Sequence, residues 1–226
     1  MWHESGHRAE VTCILRSPKP ENFAVGYSDG SIRLWNASFG SVITTFNGHK
    51  KAVTALAFDQ EGSRLASGSQ DTDLIIWDVV AEAGLYRQVY ICGYLCTSLT
   101  PLQRLRGHRD QITAIKFLDI SANAPSTSSA SGSTFVITTS KDSFLKVWDM
   151  STQHCVQTTI AHRSEVWSLD INPEKTLVFT GSSEGEVKAW SIDAEALSEG
   201  LKEDESGEVA IFFWLCTFHH IIHIRR

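Results

Sequence analysis

Hydrophobic and polar residues alternate along most of the chain in short segments, and the same arrangement of segments occurs four times. After the histidines at positions 7, 49, 108 and 162, a β-branched residue follows four positions later and an aliphatic residue seven positions later. This alternation is typical of a strand with one buried face. A second segment, such as LASGSQDTDLIIWD at 65–78, has the pattern of strand, turn and strand. The sequence therefore predicts an all-β protein built from repeated units.

The repeats have a regular length. The distance from histidine to tryptophan is 28 residues in three copies, and the distance from a tryptophan to the next histidine is 14 residues at two places, which gives a period of 42. A period of about 40–45 residues with Gly-His and Trp-Asp landmarks is the signature of a propeller blade of four short strands. Over residues 6–192 the chain resembles the WD40-repeat family, so we expect an incomplete WD40 β-propeller.

Polar residues also recur at fixed positions. An acid lies six positions before each tryptophan, and a hydroxyl lies ten positions before it, except that the first copy has Val25. The resemblance implies a hydrogen-bonded tetrad in each blade, in which the carboxylate holds the histidine, the histidine bonds the hydroxyl, and the hydroxyl meets the indole N–H. A buried polar group without a partner costs about 1–3 kcal/mol, so each tetrad stabilises its blade, and the first should be the weakest. The predicted tetrads are His7, Asp29 and Trp35; His49, Ser67, Asp71 and Trp77; His108, Thr138, Asp142 and Trp148; and His162, Thr180, Glu184 and Trp190.

Serine, histidine and aspartate are also the components of a hydrolytic triad. A triad needs one nucleophile in one cleft, whereas this set occurs several times, ends on a tryptophan and does not have its hydroxyl in a Gly-x-Ser-x-Gly segment. We therefore predict structural tetrads with no catalytic residue, no enzymatic activity, no cofactor, no metal site and no small-molecule substrate.

Charge is unevenly distributed. The net charge is −6, but residues 193–208 carry seven acids and one lysine, so the rest of the chain is balanced at 19 acids and 19 bases. A neutral body has little electrostatic attraction for nucleic acid, which favours indirect contact with RNA, and no apolar segment is long enough for a membrane span. One basic residue follows each repeated histidine, and these four either are solvated loop residues or form an arc that contacts an acidic partner. They are Arg8, Lys50, Arg109 and Arg163.

Five cysteines without a regular spacing, and no apolar N-terminal segment after a basic start, favour a reducing intracellular compartment.

Three stretches interrupt the repeats. Residues 88–104 are an apolar insertion, of which 89–103 fit a retained 45-nucleotide intron, and residues 119–135 are a Ser/Ala-rich stretch that predicts a flexible loop. The apolar tail at 209–226 fits read-through of another splice junction. We expect the insertion and the tail to be foreign to the fold.

The propeller is expected to be incomplete. Residues 196–202 show no strand pattern, so the fourth blade should lack its last strand, and about four blades would form an open arc of a larger ring. We expect the gene product to be longer at both ends and this chain alone to be prone to aggregation. The predicted organisation is a partial propeller at 1–192 with blades at about 6–48, 48–107, 107–161 and 161–192, an acidic linker at 193–208, and a disordered or non-native tail at 209–226.

Some segments are more specific than the general repeat. GYSDGSIR at 26–33, the Asp-Thr-Asp turn at 71–73, GLYR at 84–87 ahead of LRGH at 105–108, and TQHC at 152–155 resemble the family of U3 small nucleolar RNA-associated protein 12, called WD repeat-containing protein 3 in animals. The family has GLYR directly before LRGH, so the insertion places the outer strand of the second blade in doubt. The resemblance implies a nucleolar scaffold of the small-subunit processome with U3 ribonucleoprotein and other processome proteins as partners. The alternative is a WD40 adaptor of another pathway, such as ubiquitin-ligase recruitment or trafficking.

Overall fold

The strands form four antiparallel sheets of four strands each. A computed structural model describes residues 9–80, 103–120, 133–192 and 212–219, and in each sheet the strands are neighbours in chain order. An all-β fold of blade-like sheets is thereby confirmed. The first sheet contains β1 (Val11–Arg16), β2 (Asn22–Tyr27), β3 (Ser31–Asn36) and β4 (Ser41–Asn47); the second contains β5 (Val53–Phe58), β6 (Arg64–Ser69), β7 (Leu74–Asp78) and β8 (Gln103–Leu105). The third contains β9 (Ile112–Ile120), β10 (Ser133–Ser140), β11 (Phe144–Asp149) and β12 (His154–Ile160); the fourth contains β13 (Val166–Ile171), β14 (Leu177–Ser182), β15 (Glu186–Ile192) and β16 (Phe212–His219).

The sheets pack face to face in series. Three hydrophobic clusters lie between the first and second, the second and third, and the third and fourth sheets. We call the face of a sheet toward its predecessor the front face and the face toward its successor the back face. No such cluster joins the described residues of the fourth sheet to those of the first, so the ring is open. The described part of the chain contains no helix that is long and apolar enough to cross a membrane.

The turn between the second and third strands has the same geometry in all four sheets. Its fourth residue has a left-handed backbone, with φ of 86° at Gly30, 71° at Thr72, 71° at Ser143 and 78° at Gly185. The N–H of each donates to the carbonyl three residues earlier. At Gly30 a Cβ would lie 2.6 Å from the carbonyl oxygen of His49, so this position also requires the small residue. In the second and third sheets, this turn holds the predicted acid near the histidine that precedes the first strand of the same sheet.

The outer strand of the second sheet is short. β8 has three residues and pairs only with Leu74–Ile76, whereas β4 and β12 each have seven residues. Its first two residues, Gln103 and Arg104, are the last two residues of the predicted insertion at 88–104. The insertion placed the outer strand of the second blade in doubt, and the short β8 agrees with that doubt. Residues 81–102 lie outside the described part of the chain.

The Ser/Ala-rich stretch lies between the first two strands of the third sheet. β9 continues to Ile120 and β10 begins at Ser133, so both ends of the predicted loop are strand and only residues 121–132 lie outside the described part of the chain.

The fourth sheet differs from the expectation. Its outer strand exists and is Phe212–His219, which pairs with β15 from Ile192↔Phe212 to Glu186↔His219. The prediction that the fourth blade lacks its last strand is therefore wrong. Without β16, the N–H and C=O groups along the outer edge of β15 would be unpaired, and a run rich in aromatic residues is suited to pair with such an edge. The transcript origin of the tail stays a hypothesis, and the acidic linker at 193–208 lies outside the described residues.

Candidate functional site

The second sheet contains a complete chain of hydrogen bonds. The Nδ1–H of His49 donates to the Asp71 carboxylate at 3.1 Å, and its Nε2 accepts the hydroxyl hydrogen of Ser67 at 2.8 Å. The Nε1–H of Trp77 donates to the same Ser67 oxygen, also at 2.8 Å. The backbone N–H of Lys50 adds a bond of 2.7 Å to Asp71. Each buried polar atom in this series of hydrogen bonds therefore has a partner. The series connects the loop before β5 to β6 and β7.

The third sheet repeats the arrangement with threonine in place of serine. His108 Nδ1 lies 2.8 Å from Asp142 Oδ2, and His108 Nε2 lies 2.8 Å from Thr138 Oγ1. The Nε1–H of Trp148 donates to the Thr138 oxygen at 2.8 Å. We call each such set a relay. The hydroxyl, the acid and the tryptophan have the same mutual spacing in both sheets, and the geometry is the same although His108 lies 30 residues before Thr138 and His49 lies 18 residues before Ser67.

The fourth sheet has a relay with a different acid. His162 Nε2 and Trp190 Nε1 both lie 2.9 Å from Thr180 Oγ1, but His162 Nδ1 donates to Glu186 at 2.8 Å. The prediction of Glu184 as the acid is therefore wrong. Glu184 occupies the turn position that is aspartate in the inner sheets, and it is exposed. Glu186 is the first residue of β15, and from there its longer side chain reaches the imidazole.

The first sheet could be followed only in part, because His7 and Arg8 lie outside the described residues. The predicted acid, Asp29, accepts hydrogen bonds from the backbone N–H of Ser31 at 2.9 Å and from its hydroxyl at 2.6 Å. The aspartate thus stabilises its own turn, as Asp71 and Asp142 also do by accepting the N–H two residues on.

The tryptophan of the first sheet lacks the acceptor that the others have. Val25 stands at the hydroxyl position, and Trp35 Nε1 is buried without a hydrogen-bond partner among the described residues. The Trp35 ring instead stacks on Phe23, with 6.3 Å between ring centroids and 7° between planes. This matches the expectation that Val25 cannot continue the relay.

The aspartates of the second and third relays are held in the ionised form. Burial acts to raise the pKa of Asp71, but hydrogen bonds from the His49 ring and from the backbone N–H groups of Lys50 and Asp73 outweigh it and lower the pKa well below 3.8. The pKa of Asp142 is lowered from 3.8 by the same balance. The carboxylates are therefore matched to their donors in the folded state.

The relays are unsuited to catalysis. The side chains of His49, His108 and His162 are fully buried (0% exposed), and the relays are distributed one to a sheet. A nucleophile must reach its substrate in one open cleft, and a buried hydroxyl that already bonds two groups cannot do so. The relays position turns and strands instead.

The basic residues after the histidines have a common placement. Lys50, Arg109 and Arg163 are exposed, each directly after a buried relay histidine. The backbone N–H groups of Lys50 and Arg109 donate to the relay acids. These bonds hold both residues at the end of the sheet where the turn between its second and third strands lies. We call these three residues the basic rim. They lie in successive sheets, so the rim follows the arc.

One exposed aromatic residue near the start of β13 was not predicted from the sequence. Five positions after the histidine, the first three repeats have threonine and the fourth has Trp167, which is 48% exposed. The Lys141 ammonium lies 4.4 Å from the centre of the Trp167 ring, a cation–π contact, and 3.9 Å from the Glu165 carboxylate. The substitution of tryptophan at a repeated threonine position was the available signal.

The same repeated position links neighbouring sheets. Thr54 donates through its hydroxyl to the carbonyl of Ile112, and Thr113 donates to the carbonyl of Val166 at 2.6 Å.

Within the part of the chain that the structure describes, no group of three or more His, Cys, Asp or Glu side chains is placed to hold a metal ion.

Comparison with known proteins gives a consistent family. The model of the WD domain, G-beta repeat, matches residues 2–36, 40–78, 99–149 and 153–191. U3 small nucleolar RNA-associated protein 12 of Saccharomyces cerevisiae is 36% identical over 170 residues, which are 74% of this chain and 14% of that protein. Pre-mRNA-splicing factor cwf17 of Schizosaccharomyces pombe is 29% identical over 87% of this chain and 50% of its own length. Nuclear distribution protein nudF of Aspergillus niger is 27% identical over 96% of this chain and 44% of its own length. The chain thus spans half or less of each of these relatives.

Proposed function

The chain belongs to the WD40-repeat family, and from that premise we propose that it acts as a non-catalytic scaffold of the small-subunit processome in the nucleolus. In this role it assembles with the U3 ribonucleoprotein and other processome proteins during processing of pre-ribosomal RNA toward 18S RNA. The observation that carries the proposal is the 36% identity over 170 residues to a U3 small nucleolar RNA-associated protein. The identities to the splicing factor and the nuclear distribution protein, 29% and 27%, are lower.

The fold suits a scaffold. The sheets and their relays give preformed surfaces, so a partner binds without a large cost for ordering the protein. Several modest contacts along one arc add through effective concentration. The basic rim of Lys50, Arg109 and Arg163 is the surface that we assign to an acidic partner, with Arg8 as a fourth member by sequence position. RNA contact is expected through partner proteins.

The alternative is a WD40 adaptor of another pathway. It is favoured by the coverage of the other relatives, since the splicing factor matches 87% and the nuclear distribution protein 96% of this chain. Such an adaptor would use the same surfaces with different partners.

The proposal is tested by affinity purification of the tagged chain from nuclear extract. We expect enrichment of U3 RNA over spliceosomal RNA and over mature ribosomal RNA. The variant Lys50→Glu/Arg109→Glu should lose the enrichment. The matched control, Arg16→Glu/Lys19→Glu, reverses two exposed charges at the opposite strand ends and should keep it. Recovery without U3 enrichment would overturn the processome role, and recovery of spliceosomal RNA would favour the alternative.

A further inference from the structure

Trp167 is held in place by the sheet that precedes its own. It is the second residue of β13 and therefore lies at the histidine end of the fourth sheet. Lys141, in the turn between β10 and β11 of the third sheet, places its ammonium 4.4 Å from the centre of the indole ring. The same ammonium lies 3.9 Å from the Glu165 carboxylate. The indole is thus fixed against the third sheet and is still 48% exposed.

The turn that holds the indole also binds the chain at or next to two members of the basic rim. Its Asp142 carboxylate accepts the backbone N–H of Arg109 at 2.9 Å. Its Ser143 hydroxyl donates at 2.9 Å to the backbone carbonyl of Ser164, the residue that follows Arg163. One exposed aromatic ring and two exposed arginines are therefore gathered around a single turn.

The exposure of this position does not come from the end of the arc. Thr54 and Thr113 occupy it in the second and third sheets, which have a sheet on either side, and both are still partly exposed. Their hydroxyls lie toward the back face and donate to the carbonyl groups of Ile112 and Val166 in the next sheet, so a much larger side chain cannot lie between the two strands. A tryptophan here extends to the surface, as Trp167 does toward the third sheet.

Three stretches of the chain outside the described residues join the sheets at the opposite end. They are 81–102, 121–132 and 193–211. Each follows a strand that runs away from the histidine end of its sheet and precedes a strand that runs back toward it. The described residues next to these stretches therefore lie at the far end of the sheets from Trp167.

The charges around the indole indicate the kind of partner. Arg109 and Arg163 present exposed positive charge, whereas the charge of Lys141 is balanced by Glu165. Positive charge attracts acidic groups, and an indole that is already held loses little conformational entropy when an apolar side chain packs on it. Nucleic acid is less suited, because outside residues 193–208 the chain has equal numbers of acids and bases. Acidic side chains beside an aromatic or aliphatic one fit both features.

We propose that Trp167 is the apolar anchor of a docking surface for an acidic peptide segment of a partner protein, which packs an aromatic or aliphatic side chain on the indole while its acids contact the basic rim. This inference rests on the assignment of the rim to an acidic partner in the proposed function. It adds the residue that selects the segment, since a buried aromatic anchor dominates the affinity of many interfaces.

The first measurement is the accessibility of the indole in the whole chain. We expect the fraction of tryptophan fluorescence that acrylamide quenches to fall in Trp167→Phe, while the circular dichroism spectrum stays that of the wild type. An unchanged quenchable fraction would show that another part of the chain covers the ring, and it would overturn the proposal.

The second measurement selects peptides on the purified chain from a phage-displayed library of random sequences. We expect the recovered peptides to be rich in aspartate and glutamate and to share an aromatic or aliphatic residue. Recovered peptides without an excess of acids, or no recovered peptide, would overturn the proposal.

The third measurement is the affinity of one recovered peptide for three variants, by fluorescence anisotropy. Trp167→Thr restores the residue of the other repeats and should weaken binding by about tenfold or more. Trp167→Phe keeps an aromatic anchor and should stay within about threefold of the wild type. Phe39→Ser is the matched control, because Phe39 is 81% exposed but lies in the turn between β3 and β4 at the opposite end of the sheets. Equal affinities of Trp167→Thr and the wild type would overturn the proposal.

A single-stranded oligouridylate is the probe for nucleic acid. We expect it to bind more weakly than the recovered peptide. Tighter binding of this RNA that is lost in Trp167→Thr would overturn the proposal in favour of a surface that stacks bases. All of these measurements use the purified chain, so they can fail while U3 RNA is enriched from nuclear extract, and they can succeed without that enrichment.

Discussion

The second and first sheets carry their tryptophan at the same place in the same strand, but only the second sheet gives the indole N–H an acceptor. Trp77 donates to Ser67, and the ring is fully buried. Val25 stands at the position of Ser67 in the first sheet, and Trp35 Nε1 has no hydrogen-bond partner among the described residues. The strand pairing is nevertheless equivalent, since Val25 pairs with Arg33 and Ser67 with Ile75. The relay is therefore not needed to form the sheet.

The difference separates two contributions to the fold. Alternation of apolar residues and the turns set the strands and their register. The relay adds bonds between the loop that enters a sheet and the turn at its β2–β3 end, which orders the surface where the basic rim lies. The inner sheets have both contributions, whereas the described part of the first sheet has the former alone.

The largest expected change in stability comes from removing the acceptor of the indole N–H from the second sheet, so that it resembles the first sheet. Ser67→Val removes the group that bonds both His49 Nε2 and Trp77 Nε1, and leaves two buried polar atoms unpaired. We expect a loss of about 2–4 kcal/mol in the free energy of unfolding, measured by urea denaturation at one protein concentration. Ser38→Val, at an exposed turn residue, should change it by less than about 0.5 kcal/mol. Equal stability of the two variants would show that the relay is dispensable.

Acid should weaken the relays of the inner sheets. The pKa values of Asp71 and Asp142 are lower in the folded state than the ordinary value of 3.8, so the unfolded chain binds more protons at low pH. Their stabilisation is complete above the unfolded value and is lost as the pH falls below 3.8 toward the folded values. In Asp71→Asn the loss of stability between pH 5 and pH 2, roughly the titration range of such a carboxylate, should be smaller than in the wild type. An unchanged pH profile would contradict the role of Asp71.

The fourth sheet offers a matched pair of acids. Glu186→Ala removes the carboxylate 2.8 Å from His162 and should cost about 1–2 kcal/mol, because this acid is partly exposed. Glu184→Ala, at the acid that spacing alone selected, should be nearly neutral. Urea denaturation of both variants gives the comparison. A larger loss for Glu184→Ala would restore the original assignment.

The sequence was sufficient for the inner relays and insufficient for the fourth sheet. His49 and His108 have their acid at a turn where aspartate is short enough to bond the backbone, so counting residues located Asp71 and Asp142. The same spacing selects Glu184. Spacing takes no account of side-chain length, and the glutamate at position 186 reaches the imidazole of His162 instead. β16 was missed for a related reason. Pairing with a strand edge requires only a run of suitable β-forming residues, which need not resemble the repeat.

The smallest expected effect is a gain in the first sheet. Val25→Thr keeps the volume of the side chain and places a hydroxyl where Thr138 stands in the third sheet, close enough in the shared register to accept the Nε1–H of Trp35. Because the added hydroxyl is itself buried and its hydrogen has no partner among the described residues, the gain should be limited to about 1 kcal/mol. Urea denaturation and the indole N–H chemical shift of Trp35 measure the two effects. Val25→Ala is the control that removes volume without an acceptor, and it should destabilise the sheet and leave the chemical shift nearly unchanged. If Val25→Thr lowers the free energy of unfolding as much as Val25→Ala does, the missing acceptor is not what distinguishes the first sheet from the second.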